Sequence, residues 1–319
     1  MRRVLAFGLG ACAATCASAQ SYPAKPIRII AAQAAGGVTD ALARAVAQKF
    51  SEAWKQPVIV ENRAGAGGTI GTEAAVRAAP DGYTLLLSSA GPIVINQSLY
   101  PSLGYDPLTA LAAITFIASS PLVLVTHPSV PALTVKDLIA LAKARPARLT
   151  YGSGGSGSPP HLTGELFKTM ARIDITHIPF KGSAPSVLAL VGGQIDLSFS
   201  TVVIVLPQVH AQRLRALAVT SPRRANALPD LPTMIEAGMP GFESQQWFGL
   251  FAPAGLAADI VAQLTAEAAR IVSSPVMRER LAREGAEPGA LTQREFAAFL
   301  QADTARWARV VKESGAKAE

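Results

Sequence analysis

Two glycine-rich turns carry the residues of this chain whose types and spacing could do chemistry. Each follows an apolar, strand-like run and precedes a helix-like segment; they span 34–40 (AAGGVTD) and 152–158 (GSGGSGS). A helix that begins after such a turn leaves backbone N–H groups without intrahelical acceptors, and the helix dipole favours negative charge there. We therefore expect both turns to offer helix-start N–H groups to one anion held between two lobes.

The candidate contacts to that anion lie in the two turns and at nearby strand ends. Gly36 and Gly37 let the backbone approach a carboxylate because they lack Cβ atoms, and Thr39 can cap the helix or donate its hydroxyl to the ligand. Asp40 either fixes the turn by accepting N–H groups or accepts from a ligand hydroxyl, ammonium or water. Further N–H, hydroxyl, imidazole and ammonium groups come from Ser88, Ser153, Gly154, Gly157, Ser158, His161 and Lys181.

Alternating apolar strands and amphipathic helices position these turns. The first half predicts strands at 27–31, 57–60 and 83–87, and the second predicts strands at 122–126, 149–151, 176–180 and 195–200. Strands that alternate with helices form parallel sheets with right-handed crossovers. In such sheets ligands bind beyond the carboxyl ends of the strands, which is where both turns lie.

The pattern predicts two α/β lobes, the second inserted into the first. Lobe 1 is expected to comprise residues 20–120 and 245–319, and lobe 2 residues 121–244. The chain would cross between the lobes near 119–125 and again near 245–251, where an apolar strand returns to lobe 1. A ligand in the cleft between the lobes would touch both turns.

The first residues carry an export signal. A basic start precedes the apolar run 4–11, and A-S-A at 17–19 is a cleavage pattern, so residues 1–19 are predicted to be a signal peptide. Both cysteines, Cys12 and Cys16, lie within it, so the mature chain forms no disulfide and no thiolate metal site. A lipoprotein cleavage box at 9–12 (LGAC), with lipid attached at Cys12, is an alternative.

Composition narrows the choice of partner. The chain is 50% hydrophobic and only 16% charged, which excludes disorder. The formal net charge of +7 favours anionic partners, but the basic residues form no block, so nucleic acid is not an expected partner.

Other chemistries fit these residues less well. Gly152, Gly154 and Gly157 match G-x-G-x-x-G, with Asp174 at the spacing of a ribose-binding acid, but an exported protein has no access to a dinucleotide pool. The serines of the second turn lack the glycine pair of a nucleophile elbow, and the four histidines show no metal-ligand spacing. No catalytic residue, metal or cofactor is expected, and an exported α/β hydrolase remains the alternative.

Longer motifs span the mature chain: 36–40 (GGVTD), 61–68 (ENRAGAGG), 80–86 (PDGYTLL), 105–107 (YDP), 152–158, 178–182 (IPFKG), 231–233 (LPT) and 236–238 (EAG). With them the chain resembles the Bug family of periplasmic solute receptors of tripartite tricarboxylate transporters. The resemblance implies an α/β, two-lobed Venus-flytrap periplasmic-binding-protein fold, each lobe a mostly parallel sheet flanked by helices, with crossover strands. It also implies a monomeric receptor, not an enzyme, that passes a small carboxylate ligand to the permease subunits of such a transporter.

The chain departs from the family pattern at the first turn. The family usually carries a proline and an aromatic residue before its A-P-G-G sequence, and this chain has Ala32 and Gln33 there, with Ala35 in place of the second proline. Gln33 and Ala35 are therefore candidate ligand contacts, and the missing aromatic indicates a more polar or differently shaped solute. Aromatic acids, amino acids and di- and tricarboxylates remain open, as does a signalling rather than a transport partner.

Overall fold

The structure, a computed structural model, describes residues 22–100, 102–180, 182–283, 285–289 and 291–316. The predicted signal peptide at 1–19, with the alternative lipid site at Cys12, and the candidate contact Lys181 lie outside these residues.

Ten strands form one continuous sheet. They are β1 (Ile27–Ala31), β2 (Val58–Asn62), β3 (Thr84–Ser89), β4 (Leu111–Thr126), β5 (Thr150–Ser153), β6 (Thr176–Pro179), β7 (Leu197–Thr201), β8 (Arg215–Val219), β9 (Gln245–Pro253) and β10 (Glu287–Pro288). The strand order β2-β1-β3-β9-β4-β7-β5-β6 runs from one half into the other, while β8 pairs with the last residues of β4 and β10 pairs with Ala118 and Ser119 near its middle.

Helices cover both faces of this sheet. They are α1 (Val38–Trp54), α2 (Thr69–Val76), α3 (Asn96–Leu99), α4 (Pro107–Ala110), α5 (Val135–Ala144), α6 (Pro159–Ala171), α7 (Ser183–Val191), α8 (Val202–His210), α9 (Ala258–Ser273), α10 (Pro275–Arg283) and α11 (Gln293–Ser314). A 3₁₀ turn at Ala66–Gly68 precedes α2, and a π-helical turn at Gly91–Ile95 leads into α3.

In each half of the chain, parallel strands bring the carboxyl ends of the strands to one edge. β1 pairs in parallel with β2 and β3, and β5 pairs in parallel with β6 and β7. The packing follows the sequence pattern: α1 buries Leu42, Val46 and Phe50, spaced four residues apart, against the sheet. The first turn follows β1 and the second follows β5, so each turn lies at such an edge.

The long strand β4 joins the two halves. Its residues Leu111 to Pro121 pair antiparallel with β9, and Leu122 to Thr126 pair antiparallel with β7 and β8. The sequence pattern predicted only 122–126 as strand; the first part of β4 is extended because β9 returns from far along the chain to pair with it. The partners change between Pro121 and Leu122, and the domain boundaries expected at 120/121 and 244/245 remain predictions.

Each half has an apolar core on both faces of its sheet. In the first half, α1 and α9 pack on one face and the π turn with α11 on the other. In the second half, α5 and α6 cover one face and α7 and α8 the other. Leu162 of α6 packs into the core beneath α11, so the two halves share apolar contacts near the connecting strands. Within the described ranges, no helix is both long and apolar enough to cross a membrane.

A buried polar contact ties α11 to β9 beside the crossing between the halves. The indole N–H of Trp247 donates to Asp303 Oδ2 at 2.8 Å, and Arg306 donates to the other carboxylate oxygen. Trp247 and Asp303 are 1% and 3% exposed. The buried carboxylate therefore satisfies a buried indole N–H and a half-buried guanidinium.

We predict that Asp303→Leu lowers the free energy of unfolding by about 3 kcal/mol, because the Trp247 N–H and Arg306 lose their buried acceptor. Asp303→Asn, which keeps one amide oxygen for the indole, should lose clearly less. Urea unfolding followed by circular dichroism measures both. Equal stabilities for the leucine variant and the parent protein would contradict this account.

Candidate functional site

The first glycine-rich turn leaves the start of α1 uncovered. Gly37 is the N-cap residue of α1 in an extended conformation, and no side chain caps the helix. Gly36 has a φ of +83°, a conformation that glycine adopts without strain. The N–H groups of Gly37, Val38 and Thr39 donate to no acceptor among the residues that the structure describes. The turn therefore presents free backbone donors at the positive end of a helix dipole.

Asp40 fixes the shape of this turn. Its carboxylate accepts from the Gly36 N–H at 2.9 Å, from Asn62 Nδ2 at 3.0 Å and from Arg44 Nε at 3.0 Å. Burial by itself would raise the pKa of Asp40, but the bonds from Gly36, Arg44 and Asn62 outweigh it and hold the pKa below its usual value. Of the two roles considered for Asp40, these contacts support the structural one.

Gln33 and Thr39 are bonded to each other. The Thr39 hydroxyl donates to Gln33 Oε1 at 2.8 Å, and Thr39 is fully buried. No bond within the described residues uses the Gln33 amide N–H₂ group, while Ala35 is exposed at the tip of the turn. The amide that replaces the family's aromatic residue therefore braces the turn and keeps two donors available.

Side chains close the second turn upon itself. Ser153 Oγ accepts the Gly155 N–H at 3.1 Å and lies 2.7 Å from His177 Nε2. Ser158 Oγ donates to the Gly155 carbonyl at 2.7 Å, and His161 Nδ1 accepts the Gly157 N–H at 3.0 Å. The side chains of Ser153, Ser158 and His161, which were predicted to contact the ligand, therefore form hydrogen bonds that hold the turn in shape.

The start of α6 carries no free helix-start N–H group, unlike the start of α1. Pro159 and Pro160 occupy its first two positions and have no N–H, and the His161 N–H donates to the capping hydroxyl of Ser158 at 3.4 Å. We expected helix-start donors at both turns, but the first three positions of α6 have no free N–H group to offer. The N–H groups of Gly154 and Ser156 donate to none of the described residues, so the free donors here lie inside the turn itself.

Segments of the first half meet the second turn directly. A Cβ added to Gly157 would lie 2.4 Å from Leu99 Cδ2 and 3.3 Å from Asn96 Oδ1. A Cβ on Gly91 would lie 3.6 Å from the Gly157 carbonyl oxygen. The π turn and α3 of the first half therefore pack so closely against the second turn that only glycine fits at position 157.

The first turn is linked to the same place through the 3₁₀ turn. A Cβ on Gly68 would lie 3.0 Å from the carbonyl oxygen of Ala32, directly before the first turn, and 2.9 Å from Pro92 Cγ in the π turn. Close approaches thus run from the end of β1, through the 3₁₀ turn and the π turn, to the second turn.

Two buried polar atoms at this edge have no hydrogen-bond partner among the described residues. Ser88 Oγ, a predicted contact, is fully buried near the end of β3, opposite Gly249 of β9. Asn96, which sequence analysis did not single out, donates to Thr69 Oγ1 at 3.0 Å, while its Oδ1 has no donor. In the sequence, Asn96 is marked only as a polar residue that directly follows the apolar run 92–95, which does not by itself indicate a binding role.

The Ser153–His177 pair resembles a nucleophile and its base, but its surroundings do not fit hydrolysis. Ser153 is 1% exposed, and its Oγ also bonds Gly155. No carboxylate among the described residues bonds the other nitrogen of His177 to orient the ring as a base. The described residues also contain no group of three or more His, Cys, Asp or Glu side chains that could hold a metal ion.

We predict that Asp40→Ala lowers the free energy of unfolding by about 1–2 kcal/mol, since the Gly36 N–H and Asn62 lose their acceptor. Because folding lowers the pKa of Asp40, this contribution is present above the unfolded-state pKa of about 4 and is lost as the pH falls below it. Urea titrations at several pH values should therefore show the gap between parent and variant closing in acid. A gap that widens in acid would contradict the assignment.

Comparison with known proteins shows the family to which the chain is similar. A family model described as tripartite tricarboxylate transporter family receptor matches residues 42–316. The chain is 40% identical over 301 residues to protein BugT of Bordetella pertussis. The aligned region covers 94% of this chain and 92% of that protein.

Solved structures extend the likeness to the whole fold. R. palustris Rpa4515, solved with adipate, has a TM-score of 0.87 and 36% identity, over 93% of this chain and 100% of that one. MatC from Rhodopseudomonas palustris, solved with bound malate, has a TM-score of 0.83 and 30% identity, over 91% of this chain and 100% of that one.

These likenesses confirm the expected two-lobed periplasmic-binding-protein fold and a solute-binding rather than an enzymatic role. Receptors of this kind are periplasmic. With a family match over residues 42–316 and likeness to a relative along nearly its full length, the chain belongs to the tripartite tricarboxylate transporter receptor family.

Proposed function

We propose that this chain captures a small carboxylate between its two lobes and delivers it to the permease subunits of a tripartite tricarboxylate-type membrane transporter. The observation that carries the proposal is the uncapped start of α1, where the N–H groups of Gly37, Val38 and Thr39 are free. A carboxylate placed there gains charge-assisted hydrogen bonds and the field of the helix dipole. The relatives solved with adipate and with malate support a carboxylate as the ligand.

The second lobe contributes different groups. The N–H groups of Gly154 and Ser156 are free, while Ser153, Gly157, Ser158 and His161 hold the turn around them. We infer that the first lobe binds the carboxylate through a helix start and the second through main-chain donors inside a rigid turn. Gln33 adds its amide group beside α1, and Lys181 stays a predicted contact.

Ligand drives closure only through a higher affinity for the closed form. Leu99 leaves no room for a Cβ atom at Gly157, as is expected of a form in which the lobes touch. A carboxylate bonded to both turns stabilises that form, which then docks on the permease. We propose that residues 1–19 direct export of the protein as a signal peptide and that it acts as a monomer in the periplasm.

Calorimetry on ligand-stripped protein tests the proposal. Malate, succinate and adipate form the panel, with the dimethyl ester of each as the uncharged control. We expect at least one dicarboxylate to bind and its ester to bind far more weakly, because a carboxylate accepts stronger hydrogen bonds from the free N–H groups than a neutral ester carbonyl does. Absence of binding by folded, stripped protein to any carboxylate would count against the proposal.

The role of the α1 start has a matched pair of variants. Val38→Pro removes one free N–H at the first helical position, where proline is tolerated, and the extended conformation of Gly37 is compatible with a following proline. Val38→Ala keeps the N–H and loses the side chain. We expect the proline variant to raise Kd about tenfold relative to the alanine variant, since a hydrogen bond to a charged group contributes about 1.5–3 kcal/mol. Equal affinities would contradict the assigned donor.

Contact between the lobes can be tested at Gly157. Its φ is +78°, and a methyl group there would meet Leu99 Cδ2 at 2.4 Å; Gly241 has the same φ of +78° with no heavy atom within 4 Å. Gly157→Ala and Gly241→Ala therefore carry similar backbone strain but differ in the clash. We expect only the Gly157 variant to weaken ligand binding, by about tenfold or more, as measured by calorimetry. Equal losses would show that backbone strain alone matters.

A further inference from the structure

Two histidine rings lie stacked beneath the second glycine-rich turn. His161 comes from the first turn of α6 and His177 from β6. Their ring centroids are 4.0 Å apart, with the ring planes inclined by 24°. His161 is 5% exposed and His177 is half-buried.

Each ring holds a different part of the turn. His161 Nδ1 accepts the Gly157 N–H at 3.0 Å, which requires that this nitrogen carries no proton. His177 Nε2 lies 2.7 Å from Ser153 Oγ, and that hydroxyl accepts the Gly155 N–H. The two rings therefore fix both ends of the segment that carries the free N–H groups of Gly154 and Ser156.

The charged groups around the rings act in both directions on the protonation of the histidines. Tyr151 of β5 packs on His177 with centroids 4.9 Å apart and donates its hydroxyl to Glu165 of α6 at 2.5 Å. Glu165 also pairs with Lys168 at 3.1 Å. Burial, the neighbouring His161 and Lys168 lower the pKa of His177, and they outweigh Glu165, whose charge raises it.

We propose that His161 and His177 are positioning residues that hold the second turn in its ligand-binding shape only while both rings are neutral. This rests on the ligand-binding role proposed for that turn. Neither ring contacts the ligand; the rings act through Gly157 and Ser153. A proton on His161 Nδ1 removes the acceptor of the Gly157 N–H, and a proton on either ring places a cation against the other ring.

Burial supports this arrangement. It lowers the pKa of His161 to about 4, with Lys168 adding to the shift, and it lowers the pKa of His177 to about 3, with the neighbouring His161 adding. Below a pH of about 6.5 both histidines bind protons in the unfolded chain, whereas they stay neutral in the folded protein. The neutral pair therefore stabilises the fold fully above that pH, and this contribution is lost as the pH falls through the range down to the folded values.

The first test needs no ligand. In ¹⁵N-labelled protein, nuclear magnetic resonance follows the Nδ1 shift of His161, the exchange of the Gly157 amide proton and the coupling between these nitrogens across the hydrogen bond. We expect a measurable coupling at neutral pH, and its loss together with faster Gly157 exchange at one midpoint near pH 4. A His161 that titrates near 6.5, or a Gly157 amide that exchanges freely at neutral pH, would overturn the proposal.

Matched variants separate positioning from packing. His161→Asn keeps an acceptor near the Nδ1 position, whereas His161→Leu fills similar space without one; His177→Gln and His177→Leu differ in the same way at Nε2. We expect Gly157 exchange to quicken about tenfold in His161→Leu and to be largely restored in His161→Asn. If the leucine variant does not fold, the pH titration of the parent protein still decides the matter.

A binding measurement at pH 7.5 connects the turn to the ligand. It uses whichever dicarboxylate of the panel binds the parent protein, and both leucine variants should weaken Kd about tenfold while the asparagine and glutamine variants remain near the parent value. Equal Kd values for the leucine variants and the parent would overturn the positioning role. Failure of the whole panel would instead refute the proposed ligand, and the ligand-free measurements would still test the histidine pair.

Discussion

Backbone N–H groups without acceptors at the start of α1 are the feature on which the rest of the cleft depends. A buried or half-buried N–H group needs an acceptor, and no side chain in the described part of the protein supplies one for Gly37, Val38 or Thr39. Side chains nearby are used to fix the turn instead: Asp40 takes the Gly36 N–H and Gln33 takes the Thr39 hydroxyl. The turn is therefore rigid while its helix-start donors stay open to an anion.

The two turns present free backbone N–H groups in different ways. The second turn also follows a parallel strand, but Pro159 and Pro160 remove the first two helix-start N–H groups and Ser158 caps the third. Its free donors are the N–H groups of Gly154 and Ser156, inside a turn braced by histidines. A ligand between the lobes would thus meet a helix dipole on one side and a rigid main-chain loop on the other.

The departure from the family pattern at the first turn has a local explanation. Gln33 stands where the family usually has an aromatic residue, and its amide oxygen accepts the Thr39 hydroxyl. Its remaining N–H₂ group adds donors beside α1, where an aromatic ring would offer an apolar face. We infer that Gln33 makes the cleft more polar and favours a solute with several acceptor groups.

The sequence by itself determined the local elements: β1 spans Ile27–Ala31 as its apolar run predicts, and both glycine turns join a strand to a helix. Only the tertiary structure decided which donors are free, because the acceptors come from elsewhere in the chain. His177 lies 24 residues from Ser153, and Asn62 lies 22 residues from Asp40. The first part of β4 and the contact of Asn96 with Gly157 were likewise set by long-range pairing and packing, to which helix and strand periodicity carries no signal.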